Sequence, residues 1–194
     1  MCSKLTFLDP VLVAENSGAK FVVSSQNIGE ISLPYWGKAV SIPLPGFQAY
    51  YTDSGNTLPQ IELLLLLYYL NYADRTPETG EWISFSALPD AKFYDQAFQG
   101  YTGNVLAQEF QNELHSFEEA AKKLGGEPQS YGDSSFKFRV LPRVPTLVVF
   151  WQGDEDFGPS FKILFEGCAK HYLPTDGYAI IGSTLTRRLV SARK

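Results

Sequence analysis

Cysteine is almost absent from this chain, with Cys2 and Cys168 the only two in 194 residues. Thiols so far apart make no disulfide framework, and neither belongs to a Cys-x-x-Cys pair. Histidine is as scarce, His115 and His171 alone. The soft ligands therefore fall short of the three or four that zinc takes, and no metal is expected. Long hydrophobic runs are missing too. The strongest, residues 61–70, contains Glu62 and is too short for the roughly 30 Å hydrocarbon core of a bilayer. Asp9 and Pro10 cut off the apolar stretch after Lys4, so no secretory signal is expected. A cytoplasmic location without membrane contact is the expectation. Positive charge is also in short supply: 16 Lys and Arg against 21 Asp and Glu leave −5. That balance argues against nucleic acid as a partner.

Several motifs are lacking as well. There is no dinucleotide fingerprint, Walker loop, Gly-x-Ser-x-Gly elbow or His-Glu-x-x-His pair. Asp156-Phe157-Gly158 matches the magnesium-holding triplet of kinases, but the glycine-rich and His-Arg-Asp loops that must accompany it are not there.

Aromatic residues are abundant. Fourteen Phe, eleven Tyr and three Trp against one Met predict a core filled by large rings. The first fifty residues read as strands and turns, with strands over 21–24, 30–33, 38–42 and 47–51 bounded by Pro34, Pro43 and Pro45. Thr57 and Gln60 suggest a capping box opening a helix to about Tyr72. That helix is apolar nearly all round and so is predicted to lie inside. A short strand at 81–85 and a helix over 90–101 follow. Leu106, Phe110, Leu114, Phe117, Ala121 and Leu124 recur at helical spacing and predict one amphipathic helix over 102–124, closed by Gly125-Gly126. Strands are expected over 134–141, over 146–151 as the central one, and over 160–165. Thr175 opens a last helix with Tyr178, Ile181, Leu185 and Leu189 facing inward. Arg187, Arg188, Arg193 and Lys194 then complement its carbonyl end or, alternatively, form a small anion-binding patch. This order predicts an α+β fold. It would be one domain over residues 1–194, a mainly antiparallel mixed sheet packed against helices with one central buried helix.

Chemistry has few candidate carriers. Asp154, Glu155 and Asp156 follow the central strand between Gly153 and Gly158, and could bind a divalent cation or supply an acid or base. A solvated turn joining two strands is the favoured account, because adjacent side chains on an extended segment point opposite ways. Arg143, between two prolines, could meet the acidic turn or grip an anion. His171 lies three residues from Cys168, a spacing at which a thiol and a base can share a helical face. Pro34-Tyr35-Trp36-Gly37 and Tyr50-Tyr51 could line an apolar pocket or simply fill the core.

Four blocks, Gly80-Glu81-Trp82-Ile83-Ser84-Phe85, Gly132-Asp133-Ser134, Leu141-Pro142-Arg143-Val144-Pro145 and the segment from Trp151 to Phe157, occur with Leu164-Phe165 and Tyr172-Leu173-Pro174. Together they resemble the prokaryotic domain-of-unknown-function family 3786, over about residues 58–189. The resemblance implies a setting in anaerobic bacteria and archaea. Some members look like fusions to a cysteine-rich iron–sulfur segment similar to one in corrinoid proteins of one-carbon metabolism, which this chain, with two cysteines, does not share. The resemblance supplies no catalytic residues and no cofactor.

The leading expectation is an accessory or small-ligand-binding domain, with a small molecule or a protein as its partner; the resemblance implies a setting in anaerobic redox or one-carbon metabolism. The alternatives are an enzyme using Arg143 with Asp154, Glu155 and Asp156, and a structural interaction subunit.

Overall fold

The computed structural model describes residues 9–23 and 29–193; Cys2, Ser24 and Lys194 lie outside them. The first described element is a helix, α1 (Pro10–Ser17), where only strands and turns were expected. Its start is encoded locally. The Asp9 carboxylate accepts the Val11 N–H at 2.9 Å, proline suits a first turn, and Gly18 closes the helix at φ 70°.

An antiparallel meander follows: β1 (Lys20–Val23), β2 (Gly29–Tyr35), β3 (Lys38–Leu44) and β4 (Tyr50–Tyr51), in that spatial order. Pro34 and Pro43 lie inside strands instead of bounding them, opposite Ala39 and Glu30. Antiparallel pairs alternate between hydrogen-bonded and open, and both prolines fall on open pairs of the hairpin. The outer neighbours β1 and β4 end before reaching either, so no ladder bond is lost. The β2–β3 turn places Trp36 at φ 50° and Gly37 at φ 74°, the two positive values a tight two-residue hairpin needs. Glycine adopts this freely, whereas tryptophan does so under strain.

Helix α2 (Gln60–Tyr72) has Pro59 at its cap and no side-chain cap bond, so the Thr57 capping box does not form. Leu65, Leu66, Leu67, Tyr69 and Leu70 are buried, but Ile61 is 51% exposed. The helix is central on one side and wet on the other.

After β5 (Trp82–Ser84), the expected helix over 90–101 begins with a 3₁₀ turn, Lys92–Tyr94, and continues as α3 (Asp95–Tyr101). The predicted long helix over 102–124 is two, α4 (Gly103–Phe110) and α5 (Leu114–Lys123). Gln111 breaks it at φ 49°. Asn112 then pins the break, its Oδ1 accepting the Gly153 N–H at 2.7 Å. The apolar stripe survives the bend: Leu106, Phe110, Phe117 and Ala121 are all buried. Gly103 is required where α4 meets the second sheet, since a Cβ there would stand 2.3 Å from the Phe161 carbonyl oxygen.

That second sheet contains β6 (Glu127–Gln129), β7 (Ser134–Leu141), β8 (Val144–Trp151) and β9 (Ser160–Glu166), in the order β5-β9-β8-β7-β6, with every pair antiparallel. The almost continuously apolar β8 is the middle strand, as its composition predicts. Helix α6 (Thr175–Arg193) completes the fold and buries Tyr178, Ile181, Leu185 and Leu189. The class is thus α+β, with two antiparallel sheets in place of one. They share a core: Ile31, Leu33 and Val40 of the first belong to the same buried cluster as Phe136, Phe150 and Phe165 of the second. The Trp36 N–H donates to the Val140 carbonyl at 2.9 Å, and the Arg188 guanidinium stacks 4.7 Å from the Trp36 ring.

Candidate functional site

The residues singled out in the sequence divide into two places. Arg143 sits in the turn before β8, and the acidic segment follows the far end of that strand. Eight residues at 3.3 Å each separate them by roughly 25 Å. The acidic residues serve their own loop. Asp154 Oδ1 accepts the N–H groups of Asp156 at 2.9 Å and Phe157 at 2.8 Å, bonds that hold its carboxyl below the usual range. Asp154, Glu155 and Asp156 all face water. Among the described residues, no group of three or more His, Cys, Asp or Glu is placed to hold a metal ion.

Arg143 and His171 lie at the opposite, shared end of β8 and β9. The Arg143 N–H donates to the Tyr69 hydroxyl at 3.1 Å, and its Nε is buried without a partner. His171 Nδ1 is 2.7 Å from Asp74 Oδ2. Burial would raise the Asp74 carboxyl, but bonds from Thr76 and His171 outweigh it and hold the group at about 2. A depressed carboxylate contributes stability above its unfolded value, 3.8, and loses it as pH falls towards 2. Asp74→Asn is therefore expected to narrow the stability gap to the parent between those two values, read from urea midpoints against pH. The gap should be at most about 1 kcal/mol, since both side chains are partly in water. A gap that stays constant down to pH 2 would exclude the pairing.

Cys168 does not form a nucleophile with His171. The thiol is buried and pushed up to about 12, first by burial and then by the adjacent Glu166, whereas nucleophilic cysteines have their thiols lowered. Glu166 itself drew no attention in the sequence, yet it is 3% exposed and takes donors on both oxygens. Thr79 N–H, Thr79 Oγ1 (2.7 Å) and Gly80 N–H (2.7 Å) bond Oε1, and Cys168 N–H bonds Oε2 at 2.6 Å. Burial raises this carboxyl, but the donors win and its pKa lies below the ordinary value. The arrangement ties residues 79–80 to the end of β9.

A concavity of a different make-up lies under the first turns of α6. A cavity of about 540 Å³ is lined by Phe85, Tyr94, Ala97, Tyr101 and Ala179, with Asp90, Thr175 and Asp176 along one edge. Phe85 is the buried floor, stacked on Phe98 at 4.0 Å; Tyr94 and Tyr101 stand exposed as walls. Asp90 holds φ 57°, a left-handed conformation that aspartate tolerates better than most residues. Tyr94, Ala97 and Tyr101 recur at steps of three and four, the spacing that lines one face of a helix. The sequence thus carried the signal, hidden by the more obvious core residue Phe98. By contrast, Tyr35 is buried in the core and Trp36 borders only a small cavity of about 170 Å³.

The structure is that of an α+β domain with a ring-lined groove and no assembled catalytic constellation among the residues expected to supply one. The family model for a domain of unknown function (DUF3786) matches residues 9–188, and the chain belongs to that family. The match begins well before residue 58, so the first sheet is part of the family's domain. No curated protein and no solved structure matches the chain.

Proposed function

We propose that this is a small-ligand-binding, accessory-type domain whose site is the groove of Phe85, Tyr94, Ala97 and Tyr101. One observation carries the reading. At about 540 Å³, the groove is within the size range of small-molecule pockets, and it joins apolar walls to a few polar groups on one edge. The enzyme reading built on Arg143 with Asp154, Glu155 and Asp156 has less support, because β8 separates them. A role in anaerobic redox or one-carbon metabolism rests on the family resemblance alone.

Indole, a flat uncharged ring, is the probe. Titrated at millimolar concentration into ¹⁵N-labelled protein, it should shift amide resonances of residues 85–101 and 175–179. Ala97→Trp would fill the groove from an exposed position and should abolish those shifts while leaving the rest of the spectrum in place. Shifts scattered over the surface, or unchanged by Ala97→Trp, would refute the site.

A further inference from the structure

We infer that the natural ligand of this groove carries a cation, a primary ammonium or its equivalent, on a flat apolar body; this rests on the groove being the binding site. The edge of the groove is the reason. A second cavity of about 300 Å³, lined by Tyr72, Pro89, Lys170 and Leu173 among others, shares Asp90, Thr175 and Asp176 with the first. These three residues form a saddle between the two cavities, so a ligand that reaches from one cavity into the other lies against two carboxylates.

Asp90 and Asp176 form no ion pair with a basic side chain among the described residues. Thr175 is turned away from the ligand's path, its hydroxyl donating to the Pro89 carbonyl at 2.5 Å. Asp176 accepts one N–H, from Gly177 at 3.0 Å, and its carboxylate also meets the Tyr68 hydroxyl. The charge of Asp176 is felt nearby as the main cause of a raised Tyr68 hydroxyl. Lys170, on the second cavity, offsets one of the two negative charges, so the saddle remains negative overall.

The aromatic walls point the same way. Tyrosine rings present a negative face to a cation, and Tyr94 and Tyr101 line the cavity that Asp90 and Asp176 border. An anionic ligand would meet two carboxylates. A neutral one would leave the carboxylates hydrated and gain nothing from them. Apolar body and cationic end are thus each matched by a separate part of one surface.

Three probes of the same ring and similar length test this on the full chain by ligand-detected NMR or calorimetry: 2-phenylethylammonium, 2-phenylethanol and 3-phenylpropionate. The ammonium should bind about fivefold to tenfold more tightly than the alcohol, the scale expected of two exposed ion pairs, with the carboxylate weakest. Asp90→Asn with Asp176→Asn should bring the ammonium to the level of the alcohol and leave the alcohol unchanged. Both positions are exposed, so the fold should persist, as circular dichroism would verify. Equal binding of ammonium and alcohol, or a preference that survives the double variant, overturns the cation while the groove stands. Failure of all three probes and of indole removes the groove as well.

Discussion

Phe117→Ala is expected to lower the stability of the protein by about 3–5 kcal/mol, the usual cost of deleting a fully buried ring. Phe117 is 0% exposed and contacts four other rings: Phe161 at 5.1 Å, Phe136 at 5.6 Å, Phe110 at 5.7 Å and Phe150 at 5.8 Å between centroids. All four contacts are edge-on, the geometry in which a ring's positive rim meets a neighbour's face. The neighbours come from α4, β7, β8 and β9, so no single element can move inward to fill the void. The melting temperature should fall by roughly 10 °C, given about 2–4 °C per kcal/mol for a chain of this size. Phe117→Leu should cost less than half as much. A loss below about 1 kcal/mol in urea unfolding of the alanine variant would show that the ring cluster is not the centre of the core.

Glu166→Ala is expected to cost about 3 kcal/mol or more, for the opposite reason. The side chain is buried and charged, and its removal takes the shared acceptor from the N–H groups of Thr79, Gly80 and Cys168 and from the Thr79 hydroxyl; the Cys168 N–H is left buried without a partner, while Thr79 and Gly80 lie at the surface. Glu166→Gln keeps one acceptor oxygen and should fall between the parent and the alanine variant. The carboxyl is held below its ordinary value. Its contribution is therefore complete above the unfolded glutamate value and drains as pH falls through the lowered one. The gap between parent and Glu166→Ala should shrink on acidification. If the two chains have equal urea midpoints at neutral pH, the anchor has no energetic weight.

These two residues also mark what was legible in the sequence. Phe117 stood on a periodic stripe, and its burial followed from spacing alone. The bend at Gln111 did not, because it depends on Asn112 reaching Gly153, a partner that periodicity does not reveal. The mid-sheet place of β8 and the inward face of α6 were readable, since each is set by its own pattern of apolar residues. Glu166 was invisible: its donors come from residues 79–80, far away in the chain, and a glutamate ending a strand is an ordinary surface residue until they arrive. The candidate site residues fall at the two ends of β8, with Arg143 and His171 at one and the acidic turn at the other. Asp154, Glu155 and Asp156 share a loop, while Arg143 is a strand length away. The groove was encoded in Tyr94, Ala97 and Tyr101, but Asp90, Thr175 and Asp176 join them only through tertiary packing.

The stacking of Arg188 on Trp36 has a consequence for the chain during synthesis. The hairpin bearing Trp36 leaves the ribosome early, whereas the guanidinium that covers its indole is made near the end of α6. Until then the indole of Trp36 lacks this cover. Contacts between such distant parts of a chain also form slowly. Nascent protein halted before α6 is therefore missing the Arg188 cover of Trp36, and the last helix acts as the latch that ends this exposure.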